Sequence, residues 1–351
     1  MIRFCLRWLW RLVLLLVVVV GVLMAPVGYV EFACTGEDRG DGYAAILPEA
    51  HHRLEARTLL TYPEWHIVHV YDDYAQVIDA GDPHDFGYVK AVRSYWSSLC
   101  ALKKQAASHG GIDGSTRQLV YVIGVSFSAE LALKAAYEET LGRVATWVRG
   151  AQHSPLDDLS AEQAADYAAF LQQVPWYKWD FQSDIAALEA ARTEAFRDRE
   201  RRFALGTEYA AKSAYAGVIA GAVANVGADE LTLRMIVSGP DSGEVALLDG
   251  VTITALRPEG MEIETIRYRA LTHLLTEMAA LDVHIIEMAG NDDIMFTALS
   301  PQAEAEGALF SFPRQGYGDH RHLFMVKVPD LLDRLRAMRD GALRVEHVHD
   351  Y

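Results

Sequence analysis

The sequence predicts an α+β protein with an N-terminal transmembrane helix, a mostly helical domain and then a ferredoxin-like (βαββαβ) antiparallel-sheet domain. Three observations predict this class. An uncharged apolar run opens the chain, alanine-rich stretches with helical periodicity fill its middle, and β-branched stretches alternate with amphipathic ones near its end. The predicted divisions are residues 1–11, 12–30 (the span), 31–60 (a linker and first helix), 61–227 (the helical domain) and 228–351 (the ferredoxin-like domain).

The apolar run from Leu12 to Val30 is the first element. It contains no charged residue and, at the helical rise, spans roughly 28 Å, about the thickness of a bilayer's hydrocarbon core. The net charge of the chain is −16, and because the first thirty residues hold three arginines and no acidic residue, the remainder carries −19. The positive-inside rule therefore places the N-terminus in the cytoplasm.

This orientation predicts a single-pass, signal-anchor protein of a bacterial inner membrane with its body in the periplasm. A cleaved signal peptide is the alternative, since a basic start before an apolar run is common to both. Pro26 follows one small-residue site and Glu31 occupies another, and both features disfavour cleavage. The bilayer is the predicted partner of residues 12–30, and the acidic body makes nucleic acid a poor partner.

The anchor also divides the three cysteines. Cys5 precedes the span, whereas Cys34 and Cys100 follow it, where an oxidising compartment allows disulfide formation. We therefore predict a Cys34–Cys100 disulfide, with two unrelated thiols as the alternative. The glycine-rich, charged stretch over residues 36–42 is interpreted as a solvated linker.

The middle of the chain is predicted to be helical. Thr61 and Glu64 have the spacing of a capping box, so a helix is expected from near Tyr62 to near Gly81. Further helices are expected over residues 85–107, 120–150, 161–173 and, with a break, 184–226, with a strand over 119–125 as an alternative. The uncharged residues 213–228 are interpreted as a buried helix, and a second membrane span is the alternative.

After residue 227 the pattern changes to that of a sheet. Strands are expected over 231–237 and 251–256, a helix over 261–281, and a hairpin over 283–288 and 294–299. A strand over 323–328, a helix from 329 and a last strand over 343–349 complete the domain. With the first two strands counted as one hairpin arm, the order reduces to the ferredoxin-like one in a single sheet.

The candidate site lies on the helix that begins near Tyr62. His66, His69 and Asp73 are spaced i, i+3 and i+7, so all three project from one face and could bind a transition metal or a haem. The alternative is a polar seam whose histidines hydrogen-bond to neighbouring helices.

Two His-x-His pairs are weaker candidates. The spacing of His320 with His322, and of His347 with His349, places both rings of each pair on one side of a strand. We expect the first pair to lie in a loop and the second to be exposed near the C-terminus. If the pairs converged on adjacent strands, they would form a metal site.

Three motifs carry a resemblance to a known family: TYPEWH at residues 61–66, YWSSLC at 95–100 and IGVSF at 123–127. With them the chain resembles a family of uncharacterised bacterial single-pass membrane proteins. The resemblance implies an N-terminal membrane segment, and it implies no activity and no site residue.

The functional prediction follows from what the chain contains and lacks. No phosphate-binding loop, dinucleotide fingerprint, zinc-protease helix or nucleophile elbow occurs in the sequence. We therefore predict a membrane-anchored periplasmic binding or assembly protein that meets an envelope protein or a small ligand. The alternative is a metal- or haem-dependent periplasmic enzyme that uses His66, His69 and Asp73.

Overall fold

The computed structural model describes residues 2–37, 40, 42–53, 59–223, 231–239, 242–339 and 341–350. The chain is a mixed α+β protein. Its α-helices are α1 (Ile2–Ala33), α2 (Tyr62–Ala80), α3 (Tyr88–Ala106), α4 (Gly114–Tyr137), α5 (Arg143–Arg149), α6 (Pro155–Leu171), α7 (Phe181–Ala191), α8 (Phe196–Val223), α9 (Ser242–Ala246), α10 (Tyr268–Met278) and α11 (Leu331–Arg339). Its strands are β1 (Thr232–Ser238), β2 (Val251–Leu256), β3 (Met261–Ile266), β4 (His284–Met288), β5 (Asp293–Ser300), β6 (Phe310–Pro313), β7 (His320–Lys327) and β8 (Arg344–His349).

The apolar N-terminal helix is present. Along α1 the side chains from Leu12 to Val20 are exposed on the surface of the protein, the arrangement expected of residues that face lipid. Among the described residues two helical stretches are long and apolar enough to cross a membrane, Arg7–Ala33 and Gly114–Arg149. Residues 213–223 belong to α8, which is not one of the two, and residues 224–228 lie outside the described residues. The prediction of a buried helix is wrong for the described side chains of 213–221, because only Ala216 among them is buried.

The second of these stretches, formed by α4 and α5, packs on one side against α3 and is otherwise largely exposed. Gly124 of α4 lies against α3 so closely that a Cβ atom there would come within 2.5 Å of Tyr95 and 2.9 Å of Trp96. Trp96 also donates a 2.9 Å hydrogen bond to Ser128 on the next turn of α4. The predicted helix over 120–150 is therefore correct, and the strand alternative over 119–125 is wrong.

The predicted Cys34–Cys100 disulfide is present and fixes the end of α1 to α3. Beside it, Lys103 donates hydrogen bonds of 3.1 Å and 3.0 Å to the last-turn carbonyls of Val30 and Glu31. A lysine at this position neutralises the negative end of the helix dipole. The Glu31 carboxylate in turn accepts hydrogen bonds from side chains of α3 and α4: Lys103, Arg117 and Tyr121.

Helix α2 lies at the centre of the helical part. It contacts α3 and α6 on its flanks and the second sheet on a third side, so most of its circumference is buried. It begins at Tyr62 and ends at Ala80, as predicted, but Thr61 makes no side-chain cap. Pro63 in the first turn supplies the start signal instead, because its φ angle is already helical.

A buried ionic network connects α8 to its neighbours. The guanidinium of Arg201 donates hydrogen bonds of 2.9 Å and 3.1 Å to the carboxylate of Glu138. Arg197 likewise pairs with Asp157 of α6 at 2.8 Å. Both arginines are almost completely buried, which explains how a helix with so many charged residues packs inside the protein.

The C-terminal part contains two four-stranded antiparallel sheets with the orders β2-β3-β1-β4 and β6-β7-β5-β8. Counted from its own first strand, each sheet follows the same order: second, third, first, fourth. Residues of both sheets, α10 and α11 share one hydrophobic core. The second sheet turns its other face, with Met295 and Leu323, toward α2 and the helical part.

The prediction of a single sheet is wrong, and the ferredoxin-like order is not confirmed. Residues 261–281 are predicted to form one helix, but Met261–Ile266 is strand β3 and the helix begins at Tyr268. Residues 261–266 form a strand because they pair with β1 and β2. The backbone of Tyr268 has a positive φ angle, so the chain changes direction between β3 and α10. The predicted boundary at 227/228 lies outside the described residues.

Candidate functional site

The polar face of α2 lies against the face of the second sheet. The helix contributes His66, His69 and Asp73, all buried. The sheet contributes Arg321 from β7 and, from β8, Glu346 and two histidines. These side chains form a buried polar layer between the helical part and the sheet, which we call the α2–sheet layer: His66, His69, Asp73, Arg321, Glu346, His347 and His349.

An ion pair lies at the centre of the α2–sheet layer. Arg321 donates two hydrogen bonds of 2.6 Å to the two carboxylate oxygens of Glu346. Although burial disfavours its charge, the guanidinium of Arg321 holds the pKa of Glu346 below its ordinary value. Another nitrogen of Arg321 lies 3.9 Å from Asp73 on α2, so the arginine links helix and sheet.

Asp73 lies beside the ion pair of Arg321 and Glu346. One of its oxygens accepts a 2.9 Å hydrogen bond from the backbone amide of Gln315, and the other has no hydrogen-bond partner among the described residues. Burial raises the pKa of Asp73 to about 7, and the nearby guanidinium groups only partly oppose this effect. A carboxyl group that titrates near neutral pH is typical of binding and catalytic sites.

Three imidazoles of the layer come together beside the ion pair. The ring centres of His347 and His349 are 4.9 Å apart, and those of His69 and His349 are 6.2 Å apart. Burial lowers the pKa of each of these histidines well below its ordinary value, so all three are neutral at physiological pH. The indole of Trp65 stacks on His347 with 3.5 Å between ring centres and excludes water from one side.

These imidazoles have unused polar atoms. The Nε2 atoms of His69, His347 and His349 are buried and have no hydrogen-bond partner among the described residues. Leaving a polar atom buried and unpaired costs about 1–3 kcal/mol. Three such atoms in one layer are therefore a costly arrangement for a purely structural interface, and a polar or metallic partner would offset the cost.

His66 points away from this group, toward α3. Its Nε2 lies 3.0 Å from the hydroxyl oxygen of Ser94, which donates its own proton to the carbonyl of Ala91. The Ser94 oxygen must then accept from Nε2, so the lone pair of His66 is on Nδ1, which has no hydrogen-bond partner among the described residues. Burial lowers the pKa of His66 to about 3, so the ring is neutral.

A cavity of about 270 Å³ opens beside His66, between α2, α3 and β6. Asp73 forms part of its wall. Two exposed cations of α3, Lys90 and Arg93, lie among its lining residues. Its remaining lining is polar (Ser94, Ser97, Ser98, Ser311 and Gln315) and apolar (Val70, Ala91, Phe310, Phe312 and Pro313).

The predicted set of His66, His69 and Asp73 divides between these two places. His66 and Asp73 line the cavity, whereas His69 faces Glu346, with its Nε2 3.7 Å from the carboxylate. In the part of the chain that the structure describes, Asp82, His84 and Asp85 form the one group of three or more His, Cys, Asp or Glu residues whose ligand atoms all lie within 4.8 Å of one another. The three predicted residues do not meet this criterion by themselves.

The Asp82 group has a structural explanation. Asp82 and Asp85 form a reciprocal capping box on a short 3₁₀ helix. Both oxygens of Asp82 also accept hydrogen bonds from Arg149, at 2.8 Å and 3.0 Å. The carboxylates are therefore already satisfied by the protein.

Both expectations for the His-x-His pairs are wrong. His347 and His349 are almost completely buried, because β8 pairs with the central strand β5 and places His349 opposite Met295. His320 and His322 lie on β7 rather than in a loop. The two nitrogens of His322 lie 2.9 Å from Ser300 and 2.7 Å from Ser311, so the ring is satisfied.

Sequence reasoning does not find Arg321 or Glu346 as members of the layer, nor Trp65 as the ring that covers His347. Arg321 and Glu346 occur in polar stretches that are typical of a solvated strand face. Their burial depends on a contact between α2 and β8, which lie far apart in the sequence. No local sequence pattern indicates this contact. The alternating histidines of β8 are the available signal.

Comparison with protein-family models, with curated proteins and with solved structures finds no match. The geometry of the α2–sheet layer and of the cavity beside it therefore carries the functional argument.

Proposed function

We propose that this protein is a single-pass inner-membrane protein whose periplasmic body binds a small molecule with an anionic group and an apolar part. The observation that carries the proposal is the cavity between α2, α3 and β6. Its volume of about 270 Å³ is close to the lower end of the range for small-molecule sites, roughly 300–1,000 Å³.

The lining of the cavity supports an anionic ligand. Lys90 and Arg93 supply positive charge, and neither forms an ion pair within 4.0 Å in the described part of the chain. The hydroxyl group of Ser97 adds a hydrogen-bond donor for a carboxylate or a similar group. Phe310 and Phe312 offer an apolar surface to the rest of the molecule.

A thermal-shift screen of the full chain in detergent tests this proposal. Small aliphatic and aromatic carboxylates are compared with their uncharged amides. We expect a subset of the carboxylates, and not the matching amides, to raise the unfolding temperature. Lys90→Glu combined with Arg93→Glu should remove the effect, whereas Arg339→Glu, at an exposed arginine of α11, should not. Equal stabilisation of the charge-reversed variant by the same carboxylates would contradict the proposal.

The membrane orientation is part of the proposal. The three arginines before the span and the Cys34–Cys100 disulfide after it both support an exported body. A phosphatase that is active only in the periplasm, fused after Tyr351, should be active. Replacing Arg3, Arg7 and Arg11 by glutamate should reduce the active fraction, and an expressed but silent wild-type fusion would reverse the orientation.

We further propose that the first sheet, with α9 and α10, forms a ferredoxin-like unit, and that the second sheet repeats its strand order with α11 alone. The shared strand order, with all neighbouring strands antiparallel, supports this relationship. An experimental structure with a parallel neighbouring pair in either sheet would contradict it.

A further inference from the structure

We propose that His69, His347 and His349 bind one divalent transition-metal ion through their Nε2 atoms, in a site between α2 and strand β8. This site is separate from the ligand cavity, and it differs from the predicted set of His66, His69 and Asp73. The class of ion follows from the ligands, because imidazoles without thiolates favour Zn²⁺, Cu²⁺, Ni²⁺ and Co²⁺ over Mg²⁺ and Ca²⁺.

The spacing of His347 and His349 matches that of a tetrahedral site, and His69 lies farther out. Imidazoles that share such an ion through Nε2 have ring centres roughly 5 Å apart, given metal–nitrogen bonds of about 2 Å. His347 and His349 are already at 4.9 Å, and His349 and His69 are at 6.2 Å. Because the three Nε2 atoms are not all within 4.8 Å of one another, His69 must rotate inward to complete the site.

The Nδ1 atom of His347 has a hydrogen-bond partner of the kind that orients a metal-binding histidine. Its Nδ1 lies 3.1 Å from the hydroxyl oxygen of Thr272 on α10. When Nδ1 carries the proton and donates to this oxygen, the lone pair is on Nε2, the atom without a partner among the described residues. Thr272 is itself fixed by the backbone amide of Val348, which donates to it at 2.9 Å.

The surroundings place one carboxylate beside the rings and keep out water. Glu346 lies 3.7 Å from His69 Nε2, and its charge offsets that of Arg321. Trp65 covers His347, and Tyr62 packs edge-on against His349 with 5.1 Å between ring centres.

Equilibrium dialysis against Zn²⁺ tests the proposal. The full chain, in detergent and with a purification tag free of histidine, is treated with a chelator and then dialysed against Zn²⁺. We expect close to one Zn²⁺ per chain and at least 100-fold weaker binding by His349→Ala. The matched control is His84→Ala, which removes the imidazole of the Asp82 group and should bind as the wild type does.

Two further measurements keep the test decisive if His349→Ala fails to fold. The wild-type protein loaded with Co²⁺ should show the intense visible absorption of a four-coordinate nitrogen site, rather than the weak bands of an octahedral one. Thr272→Val, which removes the second contact of His347, should weaken Zn²⁺ binding about 10-fold or more. A folded wild-type chain that takes up no stoichiometric Zn²⁺, a weak octahedral Co²⁺ spectrum, or binding that is lost in His84→Ala would each overturn the proposal.

Discussion

Arg321 on β7 and Glu346 on β8 pair through two hydrogen bonds of 2.6 Å, although strand β5 lies between their strands. The pair therefore crosses the middle of the sheet on the face that α2 covers. Because Arg321 also lies 3.9 Å from Asp73, one guanidinium connects three separate elements of the fold.

Removing this arginine should strongly destabilise the protein. Arg321→Met removes the hydrogen-bonded partner of Glu346 and leaves Arg314, 3.9 Å from Asp73 and 4.0 Å from Glu346, as the remaining buried cation. The expected loss is about 3–5 kcal/mol in the free energy of unfolding. Urea unfolding of the full chain in detergent measures it. Arg344→Met, at an exposed arginine of β8, is the control and should change stability by less than about 0.5 kcal/mol. A loss well below that range in Arg321→Met, no larger than in the control, would show that the pair is dispensable.

Asp73 should impose a pH dependence that Asp73→Asn lacks. Its pKa is raised to about 7 in the folded state, so between about pH 4 and 7 the folded protein holds a proton that the unfolded chain has lost. The wild type should therefore lose stability relative to the variant as the pH rises through this window, by up to about 4 kcal/mol. Above the folded-state pKa the difference should be constant.

The measurement is a set of unfolding curves for both proteins at several pH values. Asp79→Asn, which changes an exposed carboxylate on the same helix, should follow the wild type across the whole range. A difference between the wild type and Asp73→Asn that does not vary across the window would mean that Asp73 is ionised throughout.

Two glycines in helices should respond in opposite directions to alanine. Gly124→Ala places a methyl group 2.5 Å from Tyr95, so overpacking should cost about 1–3 kcal/mol. At Gly206 of α8, a methyl group would meet no atom of the described residues within 4 Å. Gly206→Ala should therefore stabilise the protein by about 0.5–1 kcal/mol, because alanine has the higher helix propensity. Thermal unfolding of the two variants provides the comparison, and stabilisation by both would refute the close packing of α3 and α4.

The disulfide should contribute substantially to stability. It joins residues separated by 66 positions, and the chain-entropy model assigns about 4 kcal/mol to a loop of that length. Cys34→Ala with Cys100→Ala should lose this amount in urea unfolding, whereas Cys5→Ala should match the wild type. Mass spectrometry of the unreduced protein checks the bond itself, and finding both thiols free would contradict it.

The helical half of the fold is largely predictable from local signals. The signals around Pro63 and Gly81 mark the ends of α2, and the structure places α2 between them. Helix α6 is less well predicted, because it begins at Pro155 rather than near residue 161. The spacing of His66, His69 and Asp73 correctly indicates a shared face, because helical periodicity is a local property. The Cys34–Cys100 bond is predictable because the anchor separates these cysteines from Cys5.

The sheets and the complete site are not predictable in the same way. The sequence assigns strand β3 to a helix because Ile263 and Ile266 also fit a helical spacing, and local periodicity cannot separate the two when the run is short. His347 and His349 are expected to be exposed because they lie near the C-terminus. Their burial depends on pairing with β5 and on coverage by α2, which are long-range contacts.

The junction between α1 and the body is a rigid attachment rather than a flexible one. Lys103 binds the final carbonyls of the helix and the disulfide follows immediately, so no free hinge separates the last turn from α3. The glycine-rich stretch begins at Gly36, after this attachment. If α1 spans a bilayer as proposed, a thinner bilayer that tilts the last turns of the helix must tilt the body with them. The opening of the cavity then changes its angle to the membrane surface.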